Sequence, residues 1–455
     1  MIFNQKYHGR KGALQRCRLW VQTLGRDMQK SGVYRSVTEY VPMITGAILT
    51  LLLFWSFFVS PLLEAAQEHV IQHEDKSKAT EAGRHTLSVD GSSRQNYGGG
   101  HGAEDFMPER TDIESLLNKT LSIDPLLNTS FTLGARISDW DEQRRAFLEK
   151  NPDANVDSSG RPKLFMLTGS QPGPCHNLMG DHMLLKAVKN KIDYCRIHDM
   201  ELFYNMATFS RDMPSWWVKL PLIRSFMLAH PEVEWLWWID SDAVLTDMTF
   251  QFPSERYKDY NLVIHGWEHL VYGERKWTGL NMGIFLVRNC QWTLDLFDTL
   301  APMGYRGVVG DRVGKVLTMA LSGRPESFES DDQGAFIYLL NADRNTWGSK
   351  VYLENSYFLN GYWKDIVDKY EGYVESSHPG FGDDRWPFVT HFTGCQICSG
   401  KINNVYTAEE CTAQMSRALT LADNQVLHSY GYAHPSLATA EIVPVDKKDA
   451  GDDHH

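Results

Sequence analysis

The sequence lacks an excess of basic residues, internal repeats and a second Cys-x-x-Cys pair, and these absences exclude several classes of protein. Lys and Arg number 45 against 57 Asp and Glu, and the net charge of −12 argues against binding to nucleic acid. Because Cys395-x-x-Cys398 stands alone, we do not expect a structural zinc site. No repeats are evident in the 455 residues, a length that supports a large core.

Charge is also absent from one long stretch near the N-terminus. Residues 1–40 carry eight Lys and Arg against two acids, and no charged residue lies between Glu39 and Glu64. About 20 apolar residues span a bilayer as a helix, and the basic flank of such a helix stays in the cytosol. We therefore expect a cytosolic tail at 1–40, a single transmembrane signal anchor at 41–63 and a luminal remainder.

The segment 64–130 is polar and rich in turn-forming residues, a composition that does not build a core. We interpret it as a disordered luminal stem, with N-glycosylation patterns at Asn118 and Asn128. A globular domain is predicted at 131–440, and a disordered tail at 441–455.

Cysteine is sparse, with seven residues in the chain. Cys17 lies in the predicted cytosolic tail, and the other six lie in the predicted luminal part. An even number of luminal cysteines suits disulfide formation, and six cysteines allow 15 pairings, all of which the sequence leaves open.

Within 131–440, short apolar segments of strand length alternate with segments of helical period. Strands are predicted at 164–168, 201–204, 233–239, 261–265, within 277–289 and at 386–391. Helices are predicted at 137–150, with Ser138 as N-cap, and at 181–194, 217–229, 311–321 and 334–340. This alternation is typical of α/β folds and indicates a parallel sheet.

The chain is organised around one bulky apolar run, Trp235 to Ile239, which ends in two carboxylates, Asp240 and Asp242. The run is short and aromatic, which predicts a strand buried on both faces. Alternate side chains of an extended chain point the same way, so both carboxylates could bind one divalent cation and, through it, a diphosphate. On its own, so short a pattern more often marks solvated acids at a strand end, and the segments further along the chain are what favour the metal site.

Further candidate residues lie at the ends of other predicted strands and at the start of a predicted helix. Gly169 and Ser170 follow the first strand, at a position that suits a nucleotide but also an ordinary strand–helix connection. Asp331, Asp332 and Gln333 open an apolar helix, where acids are favoured by the helix dipole alone. His391 ends a late strand and could complete a shell of mixed oxygen and nitrogen ligands around Mn²⁺.

Several long segments of the chain resemble glycosyltransferase family 34, which contains plant xyloglucan xylosyltransferases and galactomannan galactosyltransferases. The resemblance covers roughly 131–436 and rests on the following segments: T-L-G-A-R-I-S-D-W-D-E-Q, G-D-H-M-L-L-K-A-V-K-N-K-I-D-Y-C-R-I-H, K-L-P-L-I-R, A-H-P-E-V-E-W-L-W-W-I-D-S-D-A, G-L-N-M-G-I-F-L-V-R-N-C-Q-W, S-D-D-Q and H-F-T-G-C.

The resemblance implies a GT-A fold, in which a Rossmann-like nucleotide-binding sheet is fused to an acceptor-binding half. It also implies a Golgi type II membrane protein, Mn²⁺ dependence, a UDP-sugar donor and transfer with retention of configuration. Association with related glycosyltransferases is a further expectation. Residues that match the family's sites fall into three groups: metal ligands (Asp240, Asp242, His391), donor-nucleotide contacts (Gly169, Ser170, Lys219, Ser241) and the donor-sugar and reaction centre (Asn281, Asp331, Asp332, Gln333).

Different segments of the sequence favour different donor sugars. Gln396 follows Cys395 where xylosyltransferases of the family usually have Lys, and this favours the galactosyl branch. The segments K-N-K-I-D-Y-C-R, L-A-P-M-G and H-P-G-F-G-D-D-R-W-P-F-V-T-H-F favour the xylosyl branch. We therefore predict transfer of xylose from UDP-xylose to the β-1,4-glucan backbone of xyloglucan, with UDP-galactose and β-1,4-mannan as the alternative. A non-catalytic scaffold subunit is the alternative of another class, and the intact set of metal-site residues argues against it.

Overall fold

The computed structural model describes residues 133–445, except for gaps at 208–209, 211, 327–328 and 382–384, and also describes the positions Ile113 and Ser115. The predicted cytosolic tail, signal anchor and nearly all of the stem lie outside these residues. None of the helices within the described part is long and apolar enough to cross a membrane.

The described chain folds as alternating strands and helices. The first half contains α1 (Trp140–Lys150), β1 (Leu164–Gly169), α2 (Leu178–Ile197), β2 (Glu201–Asn205), α3 (Lys219–Ala229), β3 (Trp235–Ile239), β4 (Ala243–Leu245), β5 (Leu262–Gly266) and β6 (Leu280–Arg288). The second half contains α4 (Gln291–Leu300), α5 (Val308–Ala320), α6 (Asp332–Ala342), β7 (Val351–Glu354), β8 (Gly361–Tyr362), α7 (Trp363–Ile366), α8 (Tyr370–Ser376), β9 (Val389–His391), β10 (Cys395–Gln396), β11 (Lys401–Ile402), α9 (Ala408–His428), β12 (Tyr432–Ala433) and β13 (Val443–Pro444).

Six strands form the main sheet in the order β2-β1-β3-β6-β5-β7. The β1–β2, β1–β3 and β5–β7 pairs are parallel, whereas β6 runs antiparallel to both β3 and β5. The predicted α/β class is confirmed, but the expectation of a parallel sheet is wrong for β6. This strand lies between two neighbours of the opposite direction, an arrangement that hydrophobic alternation along the chain does not reveal.

The organising strand β3 is buried on both faces, as its sequence predicts. Leu236 and Trp238 pack into the core on one face of the sheet, and Trp235, Trp237 and Ile239 pack into the core on the other. Each of these side chains is buried, and Trp237 is fully enclosed. Burial of such large apolar groups is the main stabilising contribution of this strand.

A second, smaller sheet has the order β4-β9-β8. Its strand β9 ends at His391 and places this residue near the end of β3. In the antiparallel β4–β9 pair, Ala243 lies opposite His391. The Phe392 amide donates to the Asp242 carbonyl at 3.0 Å. Pairing of two short strands therefore places His391 beside Asp242, although 149 positions separate them in the chain.

Three details of the sequence analysis need correction. The N-cap of α1 is Asp139 rather than Ser138, and its side chain makes no capping bond. The segment 401–440 contains α9, a helix of 21 residues that the sequence analysis did not predict. Val443–Pro444, placed in the disordered tail, pairs as β13 with β12, which is possible because residues 434–442 return the chain to Tyr432.

Candidate functional site

The two central carboxylates follow β3 at the carboxyl edge of the sheet, where open α/β sheets bind ligands. Asp240 leaves the strand, and Ser241 and Asp242 form a turn before β4. The carboxylates therefore converge through this turn, not through the alternation of an extended chain that the sequence analysis assumed. The Asp240 amide donates to the Gly283 carbonyl at 2.9 Å, which ties the turn to β6.

Asp240, Asp242 and His391 form a cluster whose ligand atoms all lie within 4.8 Å of one another. His391 Nε2 lies 3.3 Å from Asp242 Oδ1. Two carboxylate oxygens and one imidazole nitrogen form a donor set suited to a divalent transition metal such as Mn²⁺. The predicted ligand set is thus assembled by the fold and fits a metal ion.

The tautomer of His391 is fixed by a pair of asparagines. Asn360 Nδ2 donates to Asn281 Oδ1 at 2.7 Å, which leaves Asn360 Oδ1 as an acceptor 3.1 Å from His391 Nδ1. His391 Nδ1 therefore donates to Asn360, and Nε2 would offer its lone pair to a metal ion held by the carboxylates. Burial lowers the pKa of His391, but Asp242 outweighs this effect and the pKa is raised. Such outer partners orient histidine ligands in many metal sites.

The space behind the cluster admits only a glycine. A Cβ at Gly283 would lie 2.4 Å from His391 Cε1 and 2.9 Å from both Asn281 Oδ1 and Asp240 Oδ2. Carbon atoms in contact normally lie about 3.5–4.0 Å apart. Gly283 thus allows β6 to approach both ends of the metal cluster.

Charge beneath the cluster comes from two buried lysines. Burial lowers the pKa of Lys191 to about 8, against the attraction of Asp242 and Asp240, and its Nζ donates to the Ala243 carbonyl at 2.7 Å. Burial also lowers the pKa of Lys219, but Asp332 and Asp240 outweigh it and the pKa is raised. Burial raises the pKa of Asp240, and the charge of Lys219 opposes that rise.

Asp332 and Asp331 lie side by side but make different contacts. Asp332 is buried and lies 2.7 Å from Lys219 Nζ, and burial raises its pKa to about 6 in spite of the lysine. Asp331 is the N-cap of α6 and accepts from the Gly334 amide at 2.6 Å. It also accepts from Trp277 Nε1 and, twice, from Arg324. Asp331 therefore caps the helix, the structural role that the sequence analysis left open beside a role in the reaction.

Gln333 bridges the start of α6 to β6 and the loop before it. Its Nε2 donates to the Trp277 carbonyl at 2.8 Å, and the Met282 amide donates to its Oε1 at 3.4 Å. The Lys219 amine also donates to the Met282 carbonyl, at 2.7 Å. These bonds link the Asp331–Gln333 segment to the metal cluster through β6.

A cleft of about 530 Å³ opens at this edge of the sheet, a size that suits a small ligand. Its lining includes the predicted donor-nucleotide residues Gly169, Ser170, Lys219 and Ser241 and the predicted metal ligands Asp240 and Asp242, together with Trp216, Arg306 and Gln396. Ser170 Oγ lies 2.5 Å from the Tyr204 hydroxyl, which positions it at the end of β1. Asn281, by contrast, lies behind the metal cluster, where it supports Asn360.

Two disulfides lie beside this cleft, whose lining includes Cys395 and Cys398. Cys175 pairs with Cys398 across 223 positions, and Cys395 pairs with Cys411 across 16. Cys195 and Cys290 are free. The first disulfide joins the loop after β1 to the segment that directly follows β10, the strand that carries Gln396, and both segments line the cleft.

The comparisons with known proteins agree with this geometry. The sequence model of the galactosyl transferase GMA12/MNN10 family, glycosyltransferase family 34, matches residues 160–401. Xyloglucan 6-xylosyltransferase 1 of Arabidopsis thaliana is 49% identical over 84% of this chain and 82% of its own length. Xyloglucan 6-xylosyltransferase 2 of the same plant is 55% identical over 70% of this chain and 68% of its own length.

The chain belongs to glycosyltransferase family 34. It is therefore a glycosyltransferase, and the scaffold alternative is not supported. A solved structure, a glycosyltransferase involved in the glycosylation of the major capsid of PBCV-1, is 13% identical and covers 56% of this chain and 98% of its own, with a TM-score of 0.34. So low a score adds nothing to the description of the fold.

Several residues of this family 34 site were missed by the sequence analysis. Asn360, Gly283, Trp238 and Lys191 all touch the metal cluster or the turn that carries it. Trp238 Nε1 donates to Asp240 Oδ1 at 2.6 Å, which requires only the two-residue spacing visible in the sequence. Asn360 gave no such signal, because it lies in a loop 31 positions before His391.

Proposed function

We propose that this glycosyltransferase transfers xylose from UDP-xylose to the 6-hydroxyl of glucose in a β-1,4-glucan, giving the α-1,6 branch of xyloglucan. The observation that carries the proposal is the identity of about half of all positions with two xyloglucan 6-xylosyltransferases over most of the chain. The cleft beside the metal cluster supports the proposal, because it would accommodate the donor.

We propose a GT-A architecture for the described domain, with the cleft as the UDP-sugar site. The carboxyl ends of β1 and β3 meet at its floor, so Gly169 and Ser170 would contact the nucleotide while Asp240 and Asp242 face the diphosphate. Asp240, Asp242 and His391 would hold Mn²⁺, which when bound neutralises charge on the departing diphosphate.

Transfer with retention is proposed to occur by attack of the acceptor hydroxyl on the face that the diphosphate leaves. The bond from the anomeric carbon to the phosphate oxygen breaks, the bond to the acceptor oxygen forms, and the hydroxyl proton passes to the departing phosphate. Asp332 is better suited than Asp331 to steady the cationic sugar, because Asp331 already accepts four hydrogen bonds. Double displacement on a carboxylate is the alternative route.

UDP-galactose with a β-1,4-mannan acceptor is the second candidate, favoured by one observation. Gln396 lines the cleft and carries no charge, where the xylosyl branch that the sequence resembles usually has Lys. The two donors differ by one CH₂OH group. A pocket shaped for xylose excludes galactose by steric clash, whereas a pocket open to galactose rejects xylose by only about 1–3 kcal/mol.

The test is transfer by the full-length chain from a panel of UDP-sugars to cello- and manno-oligosaccharides, with Asp240→Asn as the inactive control. Transfer of xylose to cello-oligosaccharides is expected. Transfer of galactose to manno-oligosaccharides, with no transfer of xylose, would contradict the proposal.

The cellular setting is also proposed. The uncharged segment 41–63 would anchor the chain in the Golgi membrane with residues 1–40 in the cytosol, 64–130 as a stem and the catalytic domain in the lumen. Association with related glycosyltransferases is part of the same proposal. Protease treatment of sealed vesicles should leave the catalytic domain intact, and digestion without detergent would mean that the topology is reversed.

A further inference from the structure

Arg306 is an exposed cation on the wall of the donor cleft that none of the site predictions includes. Its side chain makes no ion pair with any residue that the structure describes. A guanidinium placed in a binding cleft without an anionic partner is available to bind an anion in the ligand.

The charges around the cleft single out this residue. Among the described residues of the lining, the ionisable groups are Lys219, Asp240, Asp242 and Arg306. Lys219 is neutralised by Asp332 at 2.7 Å, and the two aspartates belong to the metal cluster, whose charge they balance. Of these described groups, Arg306 is therefore the cation whose charge is not already compensated.

The backbone that carries Arg306 is firmly held. The Arg306 amide donates to the Asp212 carbonyl at 2.8 Å, and the preceding Tyr305 is buried. Gly304 lies so close to the Trp217 ring that a Cβ there would come within 2.3 Å of it. Residues on either side of Trp217, including Trp216 and Lys219, line the cleft. The backbone that carries the Arg306 side chain is thus fixed at the wall of the cleft.

A neutral side chain occupies another part of the same lining. Gln396 is exposed and offers hydrogen bonds but no charge. A diphosphate carries about two negative charges, so a site with a single uncompensated cation among its described residues depends strongly on that cation.

We propose that Arg306 binds the diphosphate of the nucleotide-sugar donor. This inference rests on the proposed function, because it takes the cleft to be the donor site. The contact is charge-assisted and serves both donor affinity and stabilisation of the leaving group.

The experiment is calorimetric titration of full-length Arg306→Gln with UDP and with uridine at a fixed Mn²⁺ concentration. Affinity for UDP should fall about ten-fold or more, whereas affinity for uridine should stay unchanged. Arg306→Lys should retain part of the affinity, and Gln396→Lys should restore UDP binding to the Arg306→Gln variant. The matched control is Arg196→Gln, which removes the same charge from an exposed position at the end of α2.

Equal affinity of the wild type and Arg306→Gln for UDP would overturn the proposal, as would an equal loss for UDP and uridine. Since UDP binding does not depend on which sugar is transferred, this result is separable from the proposed function. Failure to transfer xylose would contradict that function, while a selective loss of UDP affinity would still support the role of Arg306.

Discussion

Substitution of Gly283 by alanine tests whether the metal cluster needs the close approach of β6. The added Cβ would lie 2.4 Å from His391 Cε1 and 2.9 Å from Asp240 Oδ2, so it meets two of the three ligands at once. The distance from this Cβ to His391 Cε1 is roughly 1 Å shorter than a normal carbon–carbon contact of about 3.5 Å, so the histidine ring must move by that amount.

Misplacement of a catalytic group by about 1 Å can cost roughly 100-fold in rate. We therefore expect Gly283→Ala to lower kcat/KM about 100-fold and to weaken Mn²⁺ binding. Overpacking of this kind costs about 1–3 kcal/mol of stability, so the domain should still fold.

The assay combines xylose transfer at saturating Mn²⁺, Mn²⁺ titration followed by electron paramagnetic resonance, and thermal unfolding. Gly372→Ala is the matched control, because no atom lies within 4 Å of its added Cβ and it sits in helix α8. Gly283→Ala with wild-type Mn²⁺ affinity and turnover would refute the reasoning.

Three further predictions concern neighbouring groups. Asn360→Ala removes the acceptor for His391 Nδ1 and should weaken Mn²⁺ binding about 10–100-fold without unfolding the domain; unchanged binding in a Mn²⁺ titration would contradict this. Asp331→Asn removes the carboxylate charge that pairs with the buried Arg324 and should cost about 3–5 kcal/mol of stability. Asp332→Asn should instead mainly lower turnover, by about 100-fold. Denaturant unfolding and turnover, measured for both variants, separate the two roles. Burial lowers the pKa of His265 to about 4, so as the pH falls the unfolded protein takes up this proton before the folded protein does. About 3 kcal/mol of the free energy of unfolding should therefore be lost between pH 6.5 and pH 4. The free energy of unfolding of His265→Gln should depend less on pH over this range, and an identical pH dependence in both proteins would argue against this cause.

The sequence was sufficient where a local pattern determines the structure. The bulky run of β3 and the acids that follow it located the organising strand and the carboxyl edge of the sheet. Pairing of Ala243 with His391 confirms that this histidine reaches the carboxylates. The roles of the remaining predicted site residues stay predictions until ligands are bound.

Other features depended on contacts between distant segments. The antiparallel insertion of β6 is set by its two neighbours, and its own sequence would suit either direction. Asn360 and Gly283 act through their positions against His391, which no spacing along the chain records. Helix α9 is a different case, because Thr407 caps it by accepting from the Glu410 amide, and this Thr-x-x-Glu pattern is a readable start signal that was overlooked.

The most direct test of the central claim is a competition reaction. The full-length chain receives equal concentrations of UDP-xylose and UDP-galactose, Mn²⁺, and a mixture of cello- and manno-oligosaccharides, and the product is identified by NMR. We expect α-1,6-linked xylose on the cello-oligosaccharide, with no product when Mn²⁺ is chelated. Galactose on the manno-oligosaccharide as the main product, or full transfer in excess chelator, would contradict it.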